Sequence, residues 1–246
     1  MFVEKIILPS PAEEREYLMS GRNTVGMPTR YDGNVPFGIF SEKAIHSVDF
    51  ENITFIAGSS NSDKELLLRI IVSKLGQIAM PWGMSDRCLS DYLDLCMIKH
   101  ERYKTVKDIP FELITLEESM SFLKTQHSDR SIKRIRSLSE FYEERIKPEY
   151  LYFIENPETM MSLRETEELA MLISDCAKSS GNQFIITTNS PVLLGIKNAL
   201  IYDLDNSTVV GETWCHSRLA AKHVQAYMDI KSAHKRRKYT RKIYNE

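Results

Sequence analysis

The chain predicts an α/β fold built on a mostly parallel sheet, and three observations lead there. Apolar runs at Ile53–Ala57, Tyr150–Ile154 and Gln183–Thr187 are short and rich in Ile, Phe and Tyr, as strands covered on both faces are. Helical periodicity separates the later ones, so the second half reads strand, helix, strand, helix, strand, an order that closes into parallel pairs. The first run leads into a polar turn, then Lys64, then an amphipathic helix. That is the layout of a loop able to hold an anion at a helix N-terminus.

Taken in order, Val3–Leu8 reads as an edge strand, without the basic end, long apolar stretch and small-residue cleavage site of a signal peptide. Ser20 to Pro36 is rich in turn residues, with Asp32-Gly33-Asn34 and two prolines. Ile53–Ala57 is a buried strand. Lys64 to Leu75 has apolar residues at helical spacing (Leu67, Leu68, Ile71, Val72, Leu75) and stops at Gly76. Leu89 to Ile98 is a second helix candidate, 99–110 is charged and exposed, and Phe111–Thr115 is a short strand candidate. Leu116 to Ile146 is mostly helical, with an interruption around His127–Arg130. Tyr150–Ile154 is ended by Pro157. Ser162 caps a helix reaching Ala177, with Glu165 completing a capping box and Gly181 closing it. After Gln183–Thr187, Ser190-Pro191 opens a short helix, and Leu200–Leu204 is a further strand.

The turn between Ala57 and Leu66 carries the chemistry. A working phosphate loop reads G-x-x-x-x-G-K-[ST], with its last Gly beside the Lys. Gly58 and Lys64 keep that spacing, through Ser59, Asn61 and Ser62, but the position before the lysine is Asp63 and the one after it is Glu65. Asp63 places a carboxylate where the β- and γ-phosphates would sit, and like charges that close repel strongly in a dry loop. Glu65 stands where a hydroxyl would ligate Mg²⁺. Both acids suit the first turn of a helix, so the change is hostile to a nucleotide at little cost to stability.

Three motifs in this order resemble the small bacterial ATPases of the ABC type within the P-loop superfamily, stand-alone relatives of transporter and SMC/RecF-like ATPase heads. They are the strand and turn over Ala57–Leu66, the run Tyr152-Phe-Ile-Glu155-Asn156-Pro157-Glu158, and Thr187-Thr188-Asn189-Ser190-Pro191, followed by Ile201-Tyr-Asp-Leu-Asp205. The resemblance spans about Val35 to Asp205. It implies a P-loop NTPase fold with an ABC-type ATPase core, a helical insertion, ATP and Mg²⁺ as cofactors of working members, and head-to-tail dimers with two composite sites. The family has D-E-P-E where this chain has Glu155-Asn156-Pro157-Glu158; the Asp helps hold Mg²⁺ and the Glu polarises water, and an amide at Asn156 is no general base. The family's T-H-S-P histidine, a γ-phosphate contact, is replaced by Asn189, which cannot carry a positive charge. The signature loop falls near Lys133–Arg136, or in a second placement at Ser137–Glu140, and neither contains glycine.

The expected organisation is one domain over 1–246, with a helical insertion at 85–146 and a basic tail at 228–246. The sequence is 42% hydrophobic and 27% charged, enough for a substantial core, and no apolar run approaches a membrane span. The four cysteines form no C-x-x-C pair, which argues against a zinc site or disulfide framework and makes the cytoplasm the expected location. Lys231 to Glu246 holds seven bases and one acid, so with a whole-chain charge of -2 the remainder stands at -8. Lys235, Arg236, Arg237, Lys238, Arg241 and Lys242 are therefore the candidate interaction residues, for nucleic acid or an acidic partner.

Each residue also has a structural reading. Lys64 reads as a surface lysine paired with Asp63 or Glu65, Glu155 as a semi-buried acid at a strand end, and Asn156 and Asn189 as neighbours sharing an amide hydrogen bond. Cys215-His216 reads as adjacent strand residues on opposite faces rather than a nucleophile and base. The expectation is a noncatalytic ATPase-fold protein with no catalytic residue, no metal and no cofactor. It would act by binding a protein, as a homodimer or with an active ATPase paralogue. A divergent ATPase completed by a partner, and a nucleic-acid-binding accessory protein, are the alternatives.

Overall fold

A computed structural model describes residues 1–20, 36–76, 86–128, 136–206 and 209–243. The first half of the chain runs Lys5–Ile7 (β1), Pro11–Met19 (α1), Ile39–Glu42 (α2), Ser47–Asp49 (β2), Ile53–Ala57 (β3), Lys64–Gly76 (α3), Asp86–Leu95 (α4) and Met97–Lys99 (β4). It continues with Phe111–Ile114 (β5), Leu116–Ser128 (α5), Leu138–Arg145 (α6), Leu151–Glu155 (β6), Leu163–Ser179 (α7), Gln183–Thr188 (β7), Pro191–Leu194 (α8), Leu200–Asp203 (β8) and Arg218–Ile243 (α9).

Five strands form one parallel sheet in the order β5-β6-β7-β3-β8, with β3 held between β7 and β8. Every residue of β3, β6 and β7 is buried, so these strands have no solvent face to mark with polar residues. Their side chains divide by alternation. Ile56, Phe153 and Ile185 face one core with α3, Tyr92 of α4, and Phe2, Val3 and Ile6 around β1. Phe55, Ile154 and Ile186 face the other, with Leu169 and Ile173 of α7, Leu193 of α8 and Leu138 of α6. The result is layered, with the parallel sheet in the middle.

The second sheet is antiparallel and has the order β2-β1-β4. β1 is therefore its central strand, not the edge strand expected, because Met97–Lys99 leaves α4 to pair along it where the sequence suggested continued helix. Gln183 joins the two sheets. Its buried side-chain carbonyl accepts from Phe2 N (2.9 Å) and Val3 N (3.0 Å), and its amide donates to Val3 O (2.8 Å) and Glu51 O (3.1 Å). A buried amide with all these bonds made is an asset, and with them unmade a liability. The 85–146 stretch contains α4, α5 and α6, and the strand expected at Phe111–Thr115 is present as β5. It supplies β4 to one sheet and β5 to the edge of the other, since Phe111–Ile114 pairs in parallel with Leu151–Ile154.

Helix ends follow local chemistry. Ser162 Oγ accepts from Glu165 N while the Glu165 carboxylate accepts from Ser162 N, and Gly181, at φ 68°, turns the chain away past the other end of α7. Ser10 with Glu13 and Ser137 with Glu140 make the same box for α1 and α6.

Candidate functional site

The site sits where β3 ends. Gly58 has φ 147°, and a Cβ there would lie 2.5 Å from Ser62 Oγ, so only glycine lets the turn fold back this tightly. Ser62 N closes the turn on Ser59 O at 3.1 Å, and Leu67 N on Asp63 O at 3.0 Å begins α3. Asp63 adopts a left-handed conformation, φ 67°, which Asp tolerates better than most residues. The backbone bend that glycine would ease beside the lysine is thus present, with a carboxylate attached.

Charges around the turn are matched within the chain. Lys43 Nζ lies 2.9 Å from Asp63 Oδ2 and 2.5 Å from Ser62 O. Lys64 is not a surface lysine. It is 2% exposed, and its Nζ lies 2.9 Å from Glu65 Oε1 and donates to Ser59 O at 3.2 Å. Glu65 Oε1 also accepts from Asn156 Nδ2 at 2.8 Å. Lys64 therefore pairs with Glu65, and Asp63 is taken by Lys43, a residue the sequence did not single out.

Loops following the strands on either side of β3 cover the turn. From the β7 side, Asn189 Oδ1 accepts from Gly58 N at 3.0 Å. From the β8 side, Asp205 accepts from Ser59 N at 2.7 Å and Ser59 Oγ at 2.9 Å. Asn156 and Asn189 are thus brought to one site, but their amides bond the turn rather than each other. Asn156 sits at the end of β6 in a left-handed conformation, φ 40°, and its N–H donates to Thr187 O at 2.9 Å. Asn189 N donates to Glu158 Oε1 at 2.8 Å, while Glu158 Oε2 is buried with no hydrogen-bond partner. Asn61 is exposed and Ser62 buried.

Glu155 is buried rather than semi-buried, and Arg69 Nη2 reaches its Oε1 at 2.7 Å and Oε2 at 3.0 Å. Burial pushes its carboxyl above the ordinary carboxylate range, and the Arg69 guanidinium pulls it back only in part. Arg69 carried no motif signal; it sits on α3 one turn from Glu65, Leu66, Val72 and Ser73.

The parallel sheet, with its strand order and a turn between β3 and α3, permits a comparison with solved structures. An SMC head bound to the C-winged helix domain of ScpA matches with a TM-score of 0.50 at 12% identity, covering 87% of this chain and 98% of that one. The chain has the fold of that SMC head domain. A second match is the SMC head domain from Thermotoga maritima, with a TM-score of 0.45 at 12% identity, covering 87% of this chain and 99% of that one. No protein-family model and no curated protein matches the chain.

In this SMC-head fold the two signature placements have separate outcomes. Residues 133–135 lie outside the described residues. Ser137–Glu140 is described, and its Ser and Glu are engaged as the cap of α6. Between α6 and α7 runs an open groove of about 510 Å³, lined by Ser137, Ser139, Glu140, Glu143, Arg164, Glu165, Glu168 and Leu172. Cys215 and His216 lie in a short 3-10 turn, with His216 Nδ1 held by Thr213 Oγ1 at 3.0 Å. The side chains of Lys235, Arg236, Arg237, Lys238, Arg241 and Lys242 lie outside the described residues, although α9 runs through these positions. No helix among the described residues is long and apolar enough to cross a membrane.

Proposed function

We propose that this chain is a noncatalytic ATPase-fold protein, a pseudo-ATPase that acts in the cytoplasm as a binding or regulatory subunit through dimerisation. One observation carries the reading: the groups that would meet a phosphate are engaged by the chain itself. Gly58 N and Ser59 N are spent on Asn189 and Asp205, and the Lys64 ammonium on Glu65 and Ser59 O. A triphosphate fits these residues poorly, because it would have to displace Asp205 and settle against Asp63 and Glu65. Glu155, tied to Arg69, and Asn156, tied to Glu65, offer neither an open metal ligand nor a base. The candidate partners are a second copy, an active ATPase paralogue, or nucleic acid through the basic tail. The solved SMC head of the same fold carries a winged-helix domain of another protein, which supports binding as a role the fold accommodates.

Fluorescent mant-ATP titrated into the protein, with and without Mg²⁺, should give no saturable signal at micromolar concentrations. Micromolar affinity would overturn the reading. A divergent ATPase completed by a partner is the second reading, and one observation favours it: Glu158 presents a buried oxygen with no partner beside Asn189. Steady phosphate release that disappears in Lys64→Ala would establish that alternative.

A further inference from the structure

α1 is polar all round, and Glu14 is the residue it buries. Glu14 Oε2 accepts from Gly38 N at 2.9 Å and from Ser41 Oγ at 2.7 Å, and Tyr17 stacks on Phe37 with ring centroids 5.4 Å apart. These contacts fall on α2 or on the residues leading into it. Left-handed residues flank that short helix, Gly38 at φ 83° and Ala44 at φ 54°. The conformation is natural for glycine but crowds the Cβ of alanine, so the bend at Ala44 is imposed by its surroundings. Ala44 N donates to Ser41 O at 3.1 Å, Ile45 N donates to Phe40 O at 2.9 Å, and the Phe40 side chain is buried. The bend delivers Lys43, whose Nζ lies 2.9 Å from Asp63 Oδ2 and donates to Ser62 O. Residues 38–44 thus form a short bridge, held by α1 on one side and by the turn after β3 on the other.

The α1 side of the bridge carries an electrostatic cost. Among the described residues, Glu14 Oε1 and Tyr92 Oη of α4 are both buried without a hydrogen-bond partner, and the Glu14 charge bears on the Tyr92 hydroxyl. Burial lifts the Glu14 carboxyl above the ordinary carboxylate range; the bonds from Ser41 and Gly38 pull it down, Glu42 adds to the lift and His46 opposes it. The Cys96 thiol of α4 also feels Glu14, and it feels Lys74 of α3 from the other direction. An ionised Glu14 with one bare oxygen in this setting is costly, whereas the neutral acid keeps Oε2 as an acceptor. Docked α1 therefore binds more protons than released α1 between the ordinary and the raised value. Its docking is complete below the ordinary value and weakens as pH rises through the raised one.

We propose that α1 is a latch on the turn: Glu14 fixes α2, α2 fixes Lys43, and Lys43 closes Asp63, so that the docking of α1 sets how firmly the turn is shut. Without Lys43 in place, Asp63 stands beside Glu65 with no cation to offset it, and the entry to α3 loosens. The proposal rests on the preceding reading for the closed state that it regulates.

The test is hydrogen exchange of the full chain, read in residues 36–45 and 59–67 and corrected at each pH for the chemical rate. Glu14→Ala should speed exchange in both stretches by about fivefold or more, the lower end of couplings between sites. In the wild type, raising pH through the Glu14 value should speed both stretches together. Glu14→Gln, a neutral side chain that keeps the acceptor oxygen, should hold both slow and remove the pH dependence. Lys43→Met should free 59–67, and adding Glu14→Ala to it should free that stretch no further, because both act through one contact. Unchanged exchange in β6 and β7 excludes global unfolding as the cause. A Glu14→Ala chain that loosens 36–45 but not 59–67, additive effects in the double variant, or a pH response that survives in Glu14→Gln would each overturn the latch. Loss of the coupling without mant-ATP binding strikes the latch alone, whereas mant-ATP binding with the coupling intact strikes the closed turn alone.

Discussion

The turn after β3 and the groove between α6 and α7 contain similar groups and use them in opposite ways. At the turn three ion pairs are made within the chain: Lys43 with Asp63, Lys64 with Glu65, Arg69 with Glu155. In the groove the acids outnumber the bases, and Glu140 and Glu165 serve helix caps while leaving their surroundings acidic. The turn keeps the Gly58-to-Lys64 spacing of a phosphate loop and is internally closed. The groove has no binding motif and is open. The turn closes on itself through ion pairs and backbone bonds, while the groove, with Arg164 paired to Glu168, keeps more carboxylates than bases along an open surface.

The largest test of this contrast is at the turn. Glu155→Ala leaves the Arg69 guanidinium confined without its carboxylate and should cost about 3–5 kcal/mol, read from urea unfolding. Adding Arg69→Met should recover most of that loss, since an absent pair is tolerated better than a broken one. A cost below about 1 kcal/mol for the single substitution would mean the pair is wetter than its burial implies. A smaller effect belongs to the groove. Ser137→Ala removes one helix cap and should cost about 1 kcal/mol, visible as a lower unfolding midpoint with α7 unaffected.

The smallest effects concern pH and carry opposite signs at the two places. Burial raises Glu155, so between the ordinary carboxylate value and its raised value the native state binds more protons than the unfolded chain. Stability from this group therefore falls as pH rises through that window. At Glu165 burial acts upward, but the Ser162 backbone and hydroxyl bonds outweigh it and the carboxyl is lowered. Its contribution is present above the ordinary value and disappears as pH falls through the lowered one. Urea unfolding across the acid range should show Glu155→Gln removing a gain on acidification and Glu165→Gln removing a loss. Equal slopes in both variants would erase the distinction.

The parallel sheet was legible because its strands are covered on both faces, so Ile53–Ala57 and the run ending at Ile154 needed no partner to be recognised. The turn was legible in its residues but not in its bonds. Lys64 looked like a surface lysine because the loops covering its turn, which bring Asn189 to Gly58 and Asp205 to Ser59, come from distant parts of the chain. Asn189 was expected to meet Asn156, yet a free Gly58 N–H lay nearer to hand. Lys43 and Arg69 gave no signal, since a lone base on a helix or turn has many uses. α1 escaped notice although Ser10 and Glu13 spell its cap, because its residues are polar all round and Glu14 is the one it buries. Met97 and Ile98 were read as the end of a helix, and Lys99 as exposed, because a three-residue strand is too short to reveal an alternating period.

Asn189 and Asp205 descend from the loops after the two strands that flank β3, so the turn is clasped from both sides. Gly58 and Ser59 cannot be freed one at a time without also disturbing the neighbouring strand tips. Local breathing at this point is therefore cooperative: amide protons on the two residues should exchange with solvent together, as one small unit at the carboxyl end of an inner strand, rather than fraying like an ordinary surface bend.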